Sequence, residues 1–382
     1  MSSGAVSVSS PAATLTLPAP RGRYATGESA FRLVDNHRPD PWVPDRPYRE
    51  LMVSVFYPAI GGGPVTHQFP PAVAAAVGAS VESSDDLPAG LVNWAATRTH
   101  SVKDAPTAPG RFPVVLYSPG AGDARDWNVS LVEDLASRGY VVVTIDHTGD
   151  GPAVQFPDGH VVGNGPLLAA WAQAFQDGTT FAFFTKLMSA RTADTSLVLD
   201  RLPTLPSRLT RAMDLHRIGM FGHSAGGFTT ADMMAADPRI QAGINLDGTL
   251  EYTAQPDGTH LSDVALHGLD RPFLLVGSSS ADGSDIHREP SWASFWQHQR
   301  GWKADVTLVD SAHASFTDAE ALLPQLALPA STLAAAVGTV PSARAVAANR
   351  AVVGSFFDRF LKGRNDHLLD GAGPGYPISV EH

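Results

Sequence analysis

Residues 217–227 read Arg217-Ile218-Gly219-Met220-Phe221-Gly222-His223-Ser224-Ala225-Gly226-Gly227. A short apolar run ends in Gly-x-Ser-x-Gly and passes into Phe228 to Ala236, a stretch that can form a helix. A serine hydroxyl is a poor nucleophile unless a base takes its proton and fixed donors stabilise the oxyanion that forms. Small residues two before and two after the serine let a strand reverse into a helix within a few residues, which leaves the hydroxyl exposed at the end of the strand. Gly222 and Gly226 hold those places, and Gly227 adds room. Five-residue matches occur by chance, but the strand before this one and the helix after it are the setting the motif needs. The stretch therefore marks Ser224 as a nucleophile rather than a serine in an ordinary tight turn.

Outward from this turn, strand-like runs alternate with helix-like stretches from about residue 112 onward, the pattern of a mainly parallel sheet with helices on both faces. The runs are residues 112–117, 140–145, 217–221, 241–246, 272–276 and 304–309. Each is short, continuous and apolar, as expected of strands buried on both faces. Helices are expected over about 128–138, around 291–300, and over 342–362 with Gly363 as the stop. Residues 51–57 alternate in part and read as an antiparallel edge strand. With the serine turn, this order predicts an α/β class chain of the α/β-hydrolase fold, a mainly parallel central sheet flanked by helices.

Two stretches break the repeat. Residues 58–110 are rich in Pro, Gly and Ala, and residues 151–190 carry Phe156, Trp171, Phe175, Phe181, Phe183 and Phe184. Both are candidate insertions capping the active-site face. Each aromatic taken singly reads as ordinary core; as a set, some are expected to face substrate. Residues 1–20, small and uncharged, read as a flexible leader, and residues 21–382 as a single domain.

The 382 residues include 27 basic and 38 acidic side chains, a formal charge of −11, with 43% hydrophobic residues. That balance disfavours attraction to nucleic acid or anionic membranes. Without cysteine there is no disulfide, thiolate metal site or cysteine nucleophile. Residues 1–20 lack the basic and apolar regions of a signal peptide, and no run of about 18 apolar residues predicts a transmembrane helix. A cytoplasmic location is expected, or a secreted one if the chain is a trimmed mature form. No cofactor and no metal are expected; a monomer is plausible, but the sequence leaves the oligomeric state open.

In this fold the sequence order is nucleophile, acid, histidine. His313, in Asp310-Ser311-Ala312-His313-Ala314-Ser315-Phe316 directly after the last parallel strand, fits the base. His267 precedes a strand, His287 and His298 fall in or beside a helix, and His223 next to the serine is expected to point away from the nucleophile's hydroxyl. The acid has two candidates. Asp247 ends one strand in Asn245-Leu246-Asp247-Gly248, and Asp282 follows the next, at the commoner position; Asp285 is a third. For the oxyanion, one backbone N–H should come from Ala225 and another from the turn Ser118-Pro119-Gly120-Ala121-Gly122, with Ala121 the residue of choice.

Four segments carry a resemblance: Tyr117-Ser118-Pro119-Gly120-Ala121-Gly122; Leu135-Ala136-Ser137-Arg138-Gly139-Tyr140-Val141-Val142; Gly222-His223-Ser224-Ala225-Gly226-Gly227; and Ala314-Ser315-Phe316-Thr317-Asp318 after His313. Over roughly residues 45–362 the chain resembles the plasma-type platelet-activating-factor acetylhydrolases and their actinobacterial relatives. The resemblance implies a calcium-independent serine esterase cleaving short-chain or lipid-like esters. It also implies that the acid follows the strand directly after the nucleophile helix, which favours Asp247 over Asp282, and that Ala121 supplies an oxyanion amide. Where that family usually has a His-Gly pair, this chain has Pro119-Gly120, which removes a side chain and a backbone donor but leaves the Ala121 amide. The function expected is ester hydrolysis through an acyl-enzyme on a small-molecule ester. Acyl transfer or cyclisation by the same triad is the alternative, and a non-catalytic binding module a more distant one.

Overall fold

Val115 and Tyr117 lie in one apolar layer and their neighbours Val114 and Leu116 in another, so the strand that carries them is covered on both sides. The computed structural model describes residues 12–84, 87–254, 260–371 and 375–382. Its strands are β1 (Ala25–Asp35), β2 (Arg49–Ala59), β3 (Val65–His67), β4 (Arg98–Lys103), β5 (Phe112–Ser118), β6 (Val141–Ile145), β7 (Ala153–Gln155), β8 (Val161–Gly163), β9 (Met213–His223), β10 (Ile240–Leu246), β11 (Phe273–Ser278), β12 (Lys303–Leu308) and β13 (Ile378–Glu381). Among the described residues, eleven form one sheet in the order β13-β12-β11-β10-β9-β5-β6-β2-β1-β4-β3, and β7 and β8 form a separate hairpin. The run from β12 through β6 is parallel throughout. This is the α/β-hydrolase arrangement.

The helices used below are α1 (Pro71–Ser84), α2 (Val129–Ser137), α3 (Gly165–Gln176), α4 (Thr180–Arg201), α5 (Ala225–Ala236), α6 (Pro290–His298) and α7 (Ser342–Lys362). On one face α2 and α7 bury Leu131, Leu135, Val353 and Phe357; on the other α4, α5 and α6 bury Val198, Phe228, Met233 and Phe295. With apolar layers on both sides, the central strands read as continuous hydrophobic runs. Gly363 closes α7 in the left-handed conformation at φ 66°. Among the described residues, no helix is long and apolar enough to cross a membrane.

Three expectations need correction. The strand over 51–57 is antiparallel but internal, since β2 pairs with β1 on one side and β6 on the other, and every residue of it is buried. β1 escaped notice because its polar residues Thr26, Glu28 and Ser29 are buried with it. The leader reading fails from residue 12: Ala13 bridges to Val92, Leu15 and Leu17 are buried, and Arg350 of α7 donates to the carbonyls of Pro18 and Ala19. Alternating leucines on an extended chain fill a groove that composition does not reveal. Residues 1–11 lie outside the described residues. The stretch 58–110 adds β3, α1 and β4 to one edge of the sheet, so much of it is framework.

Parallel pairing sets β5 beside β9 with Ser118 opposite Gly222. The two turns that leave these strands meet where the strand order reverses, the place where ligands bind in open sheets. The contact is tight: a Cβ on Gly226 would stand 1.9 Å from the Ser118 carbonyl oxygen, and one on Gly227 1.8 Å from the Asn245 side chain. Gly165, at the start of α3, has no atom within 4 Å of such a Cβ. Gly226→Ala should therefore destabilise the fold by about 1–3 kcal/mol or more, while Gly165→Ala should be neutral or stabilise by about 0.4–1 kcal/mol. Urea unfolding of the two variants side by side measures this; equal stabilities would refute the tight elbow.

Candidate active site

Ser224 sits at the turn between β9 and α5 with φ 53° and ψ −123°, a conformation that costs energy for a residue with a side chain. The turn is held by neighbours in space: Ser224 N–H donates to the Leu246 carbonyl at 2.8 Å, and Gly227 N–H to the Ser224 carbonyl at 2.8 Å. Strand β10 thereby grips the elbow from the side.

The next turn, after β10, carries Asp247, also at positive φ, 56°. Asn245 pins it by donating to the Gly248 carbonyl and accepting from its N–H, at 2.6 and 2.9 Å. The Asp247 carboxylate is buried and fully used. Oδ1 accepts from the backbone N–H groups of Ser278 and Ser284 at 2.9 and 3.2 Å. Oδ2 accepts from the Ser278 hydroxyl at 2.9 Å and from His313 Nδ1 at 2.8 Å. Burial acts to raise this carboxyl's pKa, but the hydrogen bond and charge of His313 and the two backbone donors outweigh it and hold the pKa below the usual value.

His313 follows β12, and its loop is tied down on the far side, where Asn349 of α7 donates to the Ser315 carbonyl at 2.8 Å and the Ser315 hydroxyl donates to that of Val337 at 2.7 Å. Asp318 fastens the same loop to α2 by accepting from the N–H groups of Val129 and Ser130 at 2.7 and 3.1 Å; burial, partly offset by these bonds, pushes its pKa up to about 6. The His313 ring is half exposed, at 52%, and so open to a reactant. Partial burial disfavours its cation, yet the Asp247 hydrogen bond and charge prevail and raise its pKa above the ordinary value.

Ser224, Ala225, Asp247, His313 and Ala121 line one cavity of about 370 Å³. Among the described residues Asp247 and His313 are joined directly, while Ser224 Oγ faces the same space without a hydrogen bond to the imidazole. The amides of Ala121 and Ala225 donate no hydrogen bond within the described chain, which leaves both open to a ligand. Asp282 also borders the cavity but is exposed and makes no bond to His313. Asp285 is engaged by Arg288 and by the N–H of His287.

Phe184, Leu187 and Met188, from the 151–190 stretch, form one wall. Phe183 is buried behind them against Trp42, and Phe156 lies in a separate cluster with Met52. Trp171, Phe175 and Phe181 are exposed. Among the described residues none of 58–110 lines the cavity, which corrects the expectation that this stretch caps the site.

His223 packs beside His313. Its buried ring lies 4.5 Å from that of His313, and its Nε2–H donates to the His313 carbonyl at 3.0 Å. Burial and the neighbouring His313 lower its pKa, so it packs there as a neutral ring.

A second Ser-His-Asp set went unnoticed in the sequence. Ser118 Oγ is 3.0 Å from His147 Nε2, and His147 Nδ1 is 3.2 Å from Asp194 Oδ2. All three are buried, so no substrate reaches the serine. Among the described residues, no group of three or more His, Asp or Glu is placed to hold a metal.

Residues 89–156 match the family model for platelet-activating factor acetylhydrolase, isoform II. A probable 1-alkyl-2-acetylglycerophosphocholine esterase of Arthroderma benhamiae is 28% identical over 95% of this chain and 93% of that protein. The platelet-activating factor acetylhydrolase of Bos taurus is 27% identical over 36% of this chain and 35% of its own. Among solved structures, the ferulic acid esterase of Streptomyces cinnamoneus superposes with a TM-score of 0.76 at 32% identity, over 97% of this chain and all of that one.

Asp247→Asn should cut kcat by about 10⁴-fold if that carboxylate orients the base, whereas Asp282→Asn should leave it within threefold or so. The sign of the pH effect is fixed as well. An imidazole whose pKa is raised is protonated already as pH falls through a value above about 6.5, so the acid limb of kcat/KM should lie above that pH, and should move lower when the Asp247 charge is removed. An unmoved limb, or equal losses at the two positions, would contradict this geometry.

Proposed function

Because the chain belongs to the platelet-activating-factor-acetylhydrolase-like family of the α/β-hydrolase superfamily and is a serine ester hydrolase, we propose that Ser224, His313 and Asp247 carry out its chemistry. The supporting observation is the 2.8 Å bond from His313 to a fully hydrogen-bonded Asp247 carboxylate, on the same cavity as an elbow serine. In this reading His313 Nε2 takes the Ser224 proton as Oγ bonds to the ester carbonyl carbon. The developing oxyanion is met by the amides of Ala121 and Ala225. The carbonyl re-forms as the alkoxide departs with the proton from His313, leaving an acyl-enzyme. Water, deprotonated by the same imidazole, then releases the acid and restores the serine. The Asp247 carboxylate holds the imidazole with Nδ1 protonated and balances its transient charge.

The acyl group is small in this proposal. A space of about 370 Å³ is near the lower end for ligand sites, and Leu187, Met188 and Phe228 make part of its lining apolar. The relatives are named for an acetyl ester and for ferulic acid, both with compact acyl parts. A short aliphatic chain or a single aromatic ring suits the cavity. All the named relatives are esterases or acetylhydrolases, so hydrolysis is favoured over acyl transfer or cyclisation.

Ser224→Ala should remove turnover of p-nitrophenyl acetate, a loss of about 10⁶-fold in kcat, with the circular dichroism spectrum unchanged. Activity near wild type would sink the nucleophile assignment. Across p-nitrophenyl acetate, butyrate and decanoate, kcat/KM should not rise with chain length, since methylenes the cavity leaves in water gain none of the roughly 0.8 kcal/mol each that burial would give; a rising series would overturn the small-acyl proposal.

A further inference from the structure

The turn between β5 and the following helix is rich in glycine, and an amide donor placed on such a turn is useful only if its peptide cannot rotate away. Arg191, buried in the middle of α4, reaches into this turn. Its Nη1 donates to the Pro119 carbonyl at 2.7 Å and its Nη2 to the Gly120 carbonyl at 2.9 Å. Its Nε donates to Asp150 Oδ2 at 2.7 Å. The other oxygen of that carboxylate, Oδ1, accepts from the Gly122 N–H at 2.9 Å.

The consequence follows from peptide geometry. The Gly120 carbonyl and the Ala121 N–H belong to one planar, trans peptide, so they point in opposite directions. Holding the oxygen on Arg191 aims the Ala121 amide away from Arg191, on the side where Ala121 borders the cavity with Ser224. Asp150 holds the next peptide through the Gly122 N–H, and the ion pair between Arg191 and Asp150 locks the two grips together. Gly122 has φ 84°; the Asp123 N–H also donates to the Gly120 carbonyl, at 3.2 Å, and Arg191 and Asp150 add the shorter side-chain holds that keep a Gly-Ala-Gly segment from turning over.

We propose that the Arg191–Asp150 pair is the positioning device of the oxyanion hole, fixing the direction of the Ala121 amide. The proposal rests on the Ser224 reading above, because an oxyanion amide has meaning only beside a nucleophile. Arg191 touches no substrate and acts only through the backbone of residues 119–122. Its location also accounts for one of the two charges, Arg191 and Asp194, that α4 buries. Leu187 and Met188, one turn earlier on the same helix, form the cavity wall, so one helix shapes the acyl site and sets the donor. Behind it, the buried set Ser118, His147 and Asp194 closes the bottom of the turn, with Arg49 donating to both oxygens of Asp194 at 3.1 and 2.7 Å. This gives the hidden Ser-His-Asp arrangement a structural purpose.

The test compares wild type with R191M, R191K and D150N, using p-nitrophenyl acetate kinetics and inhibition by a trifluoromethyl ketone, whose hemiketal with the serine carries the oxyanion itself. A donor out of line costs catalysis of the tetrahedral species and not ground-state binding. R191M should lose about 10²-fold in kcat with KM within about threefold, and its affinity for the ketone should fall by the same factor as kcat/KM. R191K, which keeps the charge but can hold only part of the turn, should fall between R191M and wild type, and D150N should follow the same line of ketone affinity against kcat/KM.

The proposal is overturned if folded R191M keeps wild-type kcat and ketone affinity, or if KM rises while kcat and ketone affinity hold. Should R191M fail to fold, R191K and D150N decide alone, and wild-type ketone affinity in both refutes it. Failure of the underlying nucleophile reading looks different: wild type itself would then be insensitive to the ketone, and S224A would remain active.

Discussion

Backbone meets backbone where Gly226 passes the Ser118 carbonyl with no room for a methyl group, and the rest of the site is arranged around that contact. It brings the start of α5 against the end of β5, so the turn that bears Ser224 and the turn that bears Ala121 share one wall. Parallel neighbours are needed for this, because only then do two strands end at the same edge of the sheet. The crossovers that parallel pairing demands are the helices on both faces, and their burial supplies the hydrophobic stabilisation that holds Ser224 in a conformation it would not adopt alone.

Below that edge the protein concentrates charge. Arg49, Arg125, Arg191, Asp146, Asp150 and Asp194 are all buried, each with a partner of opposite sign. Unpaired, any one would be costly to bury; paired, they contribute less to stability than to geometry. Asp194 illustrates the balance: burial opposes its charge, yet Arg49 and His147 hold its pKa far below the ordinary carboxylate value. His147 has its pKa lowered as well, by burial first and the Arg191 charge next, and so stays a neutral link between Ser118 and Asp194.

The two Ser-His-Asp arrangements of this chain differ in access rather than in composition. Ser118, His147 and Asp194 are sealed, whereas His313 presents half of its ring to solvent and Ser224 opens on the cavity with free amides on either side. A nucleophile needs an approach path and a place for the developing charge, and only one of the sets has both. The structure thereby separates a sealed arrangement that holds a turn from an open one on the cavity, though both use the same three residue types.

Much of this was legible in local sequence. The glycine-framed serine, the apolar runs before and after it, and a histidine directly following the last parallel strand are patterns of near neighbours, and the physics behind them acts over a few residues. Helix α7 with its terminal Gly363 was readable for the same reason. What lay beyond reach were contacts between distant segments. Asp247 and Asp282 both end near the site, and only the folded chain decided that Asp247 receives the N–H groups of Ser278 and Ser284 and the imidazole of His313. Leu15 and Leu17 looked like part of a loose leader until a groove was there to bury them. Arg191 had left a faint mark, a lone cation between Leu187 and Val198 on a buried helix face, which signals that partners must exist without saying which. A side chain's local pattern records whether it faces the core; the partner it meets there is set by the register and crossing of elements far apart in sequence, and those exist only once the sheet has closed.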